Sequence, residues 1–313
     1  MSFEKRALIS VYYKDGIDKI AAALYENGWE IISTGGTASY IEKNQIPVTR
    51  VSDITGFPEI LGGRVKTLHP KIFGPILAKK SKEHLKELEQ FSLSKIDLVI
   101  VNFYPFEEFL GKNAGFEDMV EKIDIGGPSM VRAAAKNFND TIVIVKESDY
   151  PLVEEKVITE IISSPEKQEL SSKAFSYTSY YDSLIANYLS KDKSFASEFL
   201  NIAGKKYLTP RYGENPHQKG AIYITDDKSP IRNLYQHHGK KLSYNNILDL
   251  SVVYDMINQF RNEKDNFSVV VKHQNPCGAA LHKTQDKAFE NALSGDPVSA
   301  FGGIVGFNHR VDW

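Results

Sequence analysis

The segment Gly63-Arg64-Val65-Lys66-Thr67-Leu68-His69-Pro70 gathers two cations, a hydroxyl and an imidazole directly after paired glycines. A guanidinium fork, an ammonium point charge and the N–H groups of a glycine turn can hold a phosphorylated or carboxamide-bearing small molecule. A solvated basic loop has the same composition, so this segment alone leaves both readings open. Ser33-Thr34-Gly35-Gly36-Thr37 lies where a strand runs into a helix. There glycines let the backbone approach a ligand, and the first N–H groups of the helix favour an anion. A plain tight turn is the competing reading. Neither a Walker A motif nor a dinucleotide fingerprint is present, which favours a phosphomonoester over a nucleoside triphosphate.

Asp124-Ile125-Gly126-Gly127-Pro128 precedes a helix that carries Arg132 and Lys136, four residues apart and so on one face. Either both cations solvate that face, or the helix abuts the strand ends and Lys136 shares a crevice with Lys66. A lysine crowded by other cations sheds its proton more easily and becomes useful for proton transfer. Asn102-Phe103-Tyr104-Pro105-Phe106 closes a buried strand. Asn102 offers hydrogen bonds to an amide or base edge and Tyr104 a hydroxyl or a stacking face, whereas Phe103 and Phe106 read as core. Two polar, turn-prone stretches stand out further on: Arg211-Tyr212-Gly213-Glu214-Asn215-Pro216-His217-Gln218, and Lys272-His273-Gln274-Asn275-Pro276-Cys277-Gly278, read as a loop after a strand. A cation beside His273 keeps the imidazole neutral and able to accept a proton. A zinc deaminase site is rejected, because the His-x-Glu element and a second cysteine are missing.

Short apolar runs near 7–11, 30–33, 48–51, 98–102 and 141–145 read as buried parallel strands, and helical spacing appears at 17–25, 37–44, 83–91 and 129–138. This alternation predicts an α/β fold with a doubly wound parallel sheet and ligands at the carboxyl ends of its strands. Residues 149–200 read as helix with an aromatic stripe, Phe175, Tyr177, Tyr180, Tyr181 and Tyr188, suited to packing against a surface. A polar linker at 201–208 leads to a second unit with strands near 221–224 and 267–271 and helices near 247–260 and 285–293. The expected boundaries are 1–147, a helical connection over 148–206, and 207–313.

The 313 residues suffice for about two domains with their own cores. A net charge of −2 provides no general field for nucleic acid or an anionic membrane, so neither is an expected partner. The single cysteine, Cys277, excludes an intrachain disulfide and multi-thiolate metal sites. With no signal-peptide pattern at Met1 and no apolar run of spanning length, a cytoplasmic location is the default expectation.

Taken with Arg132-Ala133-Ala134-Ala135-Lys136-Asn137, Leu242-Ser243-Tyr244-Asn245-Asn246-Ile247-Leu248-Asp249 and Ser299-Ala300-Phe301-Gly302-Gly303, these motifs follow the order of one family. The chain closely resembles the bifunctional purine-biosynthesis enzymes that join an AICAR transformylase to an IMP cyclohydrolase. The resemblance implies a methylglyoxal-synthase-like first domain in which formyl-AICAR (FAICAR) closes to IMP with loss of water. It carries nucleotide binding onto Lys14, Thr34, Gly35, Gly36, Thr37, Arg64, Val65, Thr67, Asn102, Asp124 and Ile125. It makes Lys136 the proton donor and acceptor, with Lys66 and Tyr104 near the reacting carboxamide. Neither a metal nor a redox cofactor is implied.

For the second unit, the resemblance implies part of a cytidine-deaminase-like α/β domain that moves a formyl group from 10-formyltetrahydrofolate to AICAR. His273 would be the general base, Lys272 a transition-state stabiliser, and Arg211, Tyr212 and Gly302 nucleotide contacts. That family site lies across a homodimer interface and uses residues beyond position 313, so the expectation is impaired formyl transfer by this chain. The chain departs from the family's Ser-Val-Ser-Asp-Lys by reading Ser10-Val11-Tyr12-Tyr13-Lys14: Lys14 is kept, and phenols replace a hydroxyl and a carboxylate. A non-catalytic phosphate-effector module is the alternative, against which the set Lys66, Asn102, Tyr104 and Lys136 discriminates. A methylglyoxal synthase would not carry the Arg211 and Lys272 motifs.

Overall fold

The computed structural model describes residues 4–110, 115–190, 198–225 and 229–311. Its contacts divide the chain into two compact units, Met1–Ala203 and Gly204–Trp313.

The first unit alternates strand and helix. It runs β1 (Lys5–Ser10), α1 (Ile17–Glu26), β2 (Trp29–Ser33), α2 (Gly35–Lys43), β3 (Thr49–Arg50), α3 (Val51–Thr55), α4 (Pro70–Leu77) and α5 (Lys82–Gln90). It continues with β4 (Leu98–Val101), α6 (Phe106–Leu110), α7 (Phe116–Glu121), α8 (Gly126–Lys136), β5 (Ile142–Ile144), the single turn α9 (Tyr150–Leu152) and α10 (Ser164–Leu189). The five strands form a sheet in the order β3-β2-β1-β4-β5, and every pairing is parallel. Successive side chains of a strand point to opposite faces. Accordingly Leu8, Ile32, Val99 and Val101 join one core with α4, α8 and α10, while Ala7, Ile9, Ile31, Leu98 and Ile100 join another with α1 and α2. Burial on both faces explains why these strands read as continuous apolar runs.

Three sequence expectations are corrected here. The helix expected at 37–44 starts at Gly35, so the glycines belong to its first turn. Only Thr49 and Arg50 of the expected strand 48–51 pair with β2, because Val51 already opens a helix. The helix expected across 149–200 is broken: a π turn at Val153–Val157 precedes α10, which starts afresh at Ser163, where a capping box with Glu166 satisfies both orphan donors.

The second unit holds a two-stranded ribbon, β6 (Lys205–Leu208) with β7 (Ile222–Ile224), followed by α11 (Tyr244–Gln259), β8 (Asn266–Lys272), β9 (Asn275–His282), α12 (Gln285–Leu293) and β10 (Ile304–Phe307). The main sheet is antiparallel in the order β10-β8-β9. Phe267, Val269 and Val271 of β8 pack on α11, and Val270 packs on α12 on the other face. The stretch expected as a linker thus contains β6. The loop expected at 272–278 is a hairpin, in which only His273 and Gln274, both at positive φ, form the turn. Pro276 sits on the edge strand beside a register shift, the place where a missing N–H costs least.

Candidate active site

The strand order reverses between β1 and β4, and a crevice of about 610 Å³ opens there at the carboxyl ends of the strands. Four loops build it. Ser10 to Tyr12 and Lys14 follow β1, Thr34 to Thr37 follow β2, Asn102 and Tyr104 follow β4, and Asp124 to Gly127 lead into α8. Gly62, Gly63, Arg64, Lys66 and Thr67 supply another wall, and Val120, Glu121, Ile123 and Met130 complete the lining.

Two helix N-termini point into this space, and they differ in one respect. At α8 the Asp124 carboxylate already occupies the end, accepting a hydrogen bond from Gly127 N at 2.9 Å. A side chain at Gly127 would place its Cβ 2.5 Å from Asp124 Oδ2 and 3.1 Å from the Phe103 ring, so only glycine admits the carboxylate. At α2 the N-cap residue Thr34 makes no side-chain cap, and its hydroxyl donates to Glu59 Oε1 at 2.9 Å instead. The first turn of α2 is thus not capped by its own Thr34, and the Glu59 carboxylate accepts from the Gly35 backbone there instead.

Burial pushes the Asp124 carboxyl above the ordinary aspartate value, against the pull of hydrogen bonds from the Gly127, Tyr104 and Gly126 backbone and of the Lys66 charge. Its loop is pinned from behind by α10: Tyr181 Oη accepts from Asp124 N at 2.8 Å, and Tyr177 Oη accepts from Phe103 N at 3.2 Å. The Phe103 and Tyr177 rings stack with centroids 4.4 Å apart. The aromatic stripe of α10 thus packs as expected and also fixes the backbone of two crevice loops.

The other expected residues divide by what their polar atoms already do. Thr37 Oγ1 bonds Val11 N and O at 3.0 and 2.9 Å, which ties α2 to the end of β1. Asn102 is likewise committed: Oδ1 accepts from Tyr12 N at 2.5 Å and Tyr13 N at 3.1 Å, while Nδ2 donates to Tyr13 O at 3.2 Å. Lys14 Nζ donates to Tyr12 O at 3.1 Å. Tyr104 is half exposed, with its ring 5.0 Å from that of Tyr12. Tyr13 turns away to donate to Glu108, and its phenol is pushed up by burial and by that carboxylate. Ile125 and the buried Thr67 line the crevice, whereas Val65 bridges to Ile60 and is not on the wall. Arg64 is paired with Glu121 and Lys66 with Glu59, two carboxylates that the motif reading missed. Either acid could have been sought as the counter-charge that an isolated cation cluster needs.

Lys136 does not line this crevice. It ends the eleven-residue α8 whose beginning lines the crevice, and a rise of about 1.5 Å per residue carries it about 15 Å away. With Arg132 it lines a separate groove of about 530 Å³ beside Leu77, Phe138 and Phe175. The two cations do share a face, as their spacing requires, but it faces away from Lys66.

In the second unit, Lys272 Nζ donates to Phe301 O at 2.7 Å, which brings Lys272 and His273 to the loop of Gly302. Arg211 lies over the Tyr212 ring at 4.8 Å. Helix α11 links the two motifs: Tyr244 N donates to Tyr212 O at 3.2 Å, and Asp249 Oδ1 accepts from Gln274 N at 2.7 Å. Asp249 was not singled out by sequence, although it closes the motif 242–249.

A family model described as AICARFT/IMPCHase bienzyme matches residues 134–313, and an MGS-like domain model matches residues 16–129. The chain belongs to the AICARFT/IMPCHase bienzyme family. Among similar proteins of this family, the bifunctional purine biosynthesis protein PurH of Caldicellulosiruptor saccharolyticus is 48% identical, over 98% of this chain and 61% of that protein. The PurH proteins of Persephonella marina and Clostridium kluyveri are 45% and 46% identical over the same shares. This chain spans about three fifths of the length of these curated relatives. The solved crystal structure of ForH is 35% identical with a TM-score of 0.54, over 59% of this chain and 98% of that one. Among the described residues, no helix is long and apolar enough to cross a membrane, and no group of three acidic, histidine or cysteine side chains could hold a metal.

Proposed function

We propose that the first unit closes FAICAR to IMP in the last step of purine biosynthesis. The observation that carries this reading is one crevice at the strand ends that brings together the first turn of α2, Lys66, Tyr104 and a partly buried Asp124 whose carboxyl burial pushes up. The phosphate belongs at α2, beside Thr34 to Thr37, Lys14 and Arg64. The heterocycle belongs toward Tyr104, Lys66 and Asp124. In the reaction the carboxamide nitrogen bonds to the formyl carbon and gives up one proton, the formamido nitrogen gives up the other as its double bond to that carbon forms, and the former formyl oxygen takes both and leaves as water. Lys66 and Asp124 are the groups placed to move those protons, and the remaining wall orients the two ends of one molecule.

For the second unit the proposal is formyl transfer from 10-formyltetrahydrofolate to AICAR, with His273 as base and Lys272 as charge stabiliser near Gly302. Arg211 and Tyr212 hold the nucleotide. A homodimer and residues supplied by longer relatives belong to this part of the proposal. So does a cytoplasmic location, the compartment that suits nucleotide and folate substrates.

The test is direct. The purified chain incubated with FAICAR is expected to form IMP, and with AICAR and 10-formyltetrahydrofolate to form little. One observation favours an effector-binding module without turnover: Thr37 and Asn102 are committed to the backbone and Lys136 is elsewhere. Tight IMP binding with no turnover of FAICAR would establish that second reading.

A further inference from the structure

Glu59 is exposed and is not part of the crevice wall, yet it touches residues that are. One carboxylate oxygen accepts from Thr34 Oγ1 at 2.9 Å, and the other lies 3.2 Å from Lys66 Nζ. It thereby joins the loop after β2 to the basic segment, two pieces of chain otherwise free to move apart. Two glycines lie against the lysine side chain. A Cβ on Gly63 would stand 2.6 Å from Lys66 Cε, and one on Gly35 would stand 3.3 Å from Nζ. Gly63 also has φ +89, a conformation that side chains rarely adopt. The lysine side chain thus runs close over Gly63, ends near Gly35 and meets the Glu59 carboxylate.

We propose that Glu59 is the positioning residue of this site: its contacts with Thr34, the Gly35 backbone and Lys66 set the ammonium against the first turn of α2 and fix the separation between them. The inference deepens the cyclohydrolase reading and rests on it for its catalytic consequence. An ordinary ion pair of two flexible side chains would hold neither partner, since such pairs exchange freely with water. This one has further anchors at Thr34 and the Gly35 backbone. Its carboxyl behaves accordingly. Burial alone would raise it, but the hydrogen bonds from Thr34 and Lys66 hold it below the ordinary glutamate value.

The experiment compares wild type with Glu59→Ala and Glu59→Gln in two measurements. The first is the acetylation rate of Lys66 under limiting acetic anhydride, read by mass spectrometry with the buried Lys95 as internal control. Both variants are expected to raise the Lys66 rate severalfold and leave Lys95 unchanged. An unchanged Lys66 rate, or a parallel rise at Lys95 that signals general loosening, overturns the positioning role whether or not the chain turns over FAICAR. The second is FAICAR closure, where Glu59→Ala is expected to lower kcat about tenfold. Glu59→Gln, whose amide oxygen still accepts from Thr34, is expected to keep KM near wild type while losing kcat. Where the wild type forms IMP, an equal kcat in all three proteins overturns the proposal. A wild type that acetylates as expected but forms no IMP overturns only the cyclohydrolase reading.

Discussion

Asp124 and Lys136 stand at opposite ends of one helix: the carboxylate caps the first turn of α8, and the ammonium ends its last. The resemblance assigns proton transfer to Lys136, while the crevice contains Asp124 and Lys66. Lys136→Ala is therefore expected to leave FAICAR closure close to wild type, whereas Lys66→Met is expected to lower it about 10²- to 10⁴-fold. Steady-state rates of IMP formation decide this. A large loss in Lys136→Ala would mean that Lys136 of a second copy completes the crevice.

Asp124 also carries a pH signature. Its folded carboxyl lies above the ordinary value of 3.8, because burial penalises the anion more than the α8 N–H groups reward it. A raised carboxyl means that the folded state holds the proton more tightly than the unfolded chain. Stability is then favoured below the ordinary value and declines as pH rises through the folded one. Relative to Asp124→Asn, which does not titrate, wild type is expected to lose stability from about pH 4 upward until Asp124 is ionised. Urea unfolding of both proteins across that range measures it, and a flat difference would show that the carboxyl is not perturbed.

Arg64 meets Glu121 at the crevice rim, where the two side chains are 63% and 57% exposed. An exposed pair of this kind is worth at most about 1 kcal/mol, so it competes weakly with a phosphate for the guanidinium. Glu121→Gln frees Arg64 and is expected to tighten IMP binding about two- to fivefold, with the gain fading as salt rises. Calorimetric titration at low and high salt tests it. Unchanged affinity would remove Arg64 from the ligand's reach.

The first-unit strands were legible because both faces are buried, which gives unbroken apolar runs such as Leu98–Val101. The wall of the crevice was legible too, since Thr34, Lys66, Asn102 and Asp124 each follow a strand or precede a helix in a polar, glycine-marked turn. What sequence did not disclose depends on tertiary pairing. Glu59 and Glu121 look like ordinary surface acids until their cations are located. β9 contains Pro276 and Gly278, which argue against a strand and are accommodated by an edge position and a register shift. The place of Lys136 stayed open in the sequence because helical spacing gives the face of a residue and not its distance from the strand ends.

The same limit hid the network at the opposite end of the sheet. Lys95, 7% exposed, donates to Ile96 O and Thr141 Oγ1 at 3.0 and 3.2 Å and pairs with Asp97 at 3.2 Å. Asn137 Nδ2, just past α8, donates to Ile76 O, Ala78 O and Thr141 Oγ1, so one polar cluster ties α4, α8, β4 and β5 together. Burial lowers the affinity of Lys95 for its proton, and Asp97 opposes that effect. Lys95→Ala would leave Asp97 and several carbonyls without their donor, a loss expected to cost about 3 kcal/mol of stability. The helix that presents Asp124 is anchored at this far end, so the variant is also expected to weaken IMP binding at temperatures well below its own melting point. Urea unfolding and IMP titration of Lys95→Ala at the same temperature test both parts. A variant as stable as wild type would show that the cluster contributes no net stability, and one that is destabilised but binds normally would uncouple the two ends of α8.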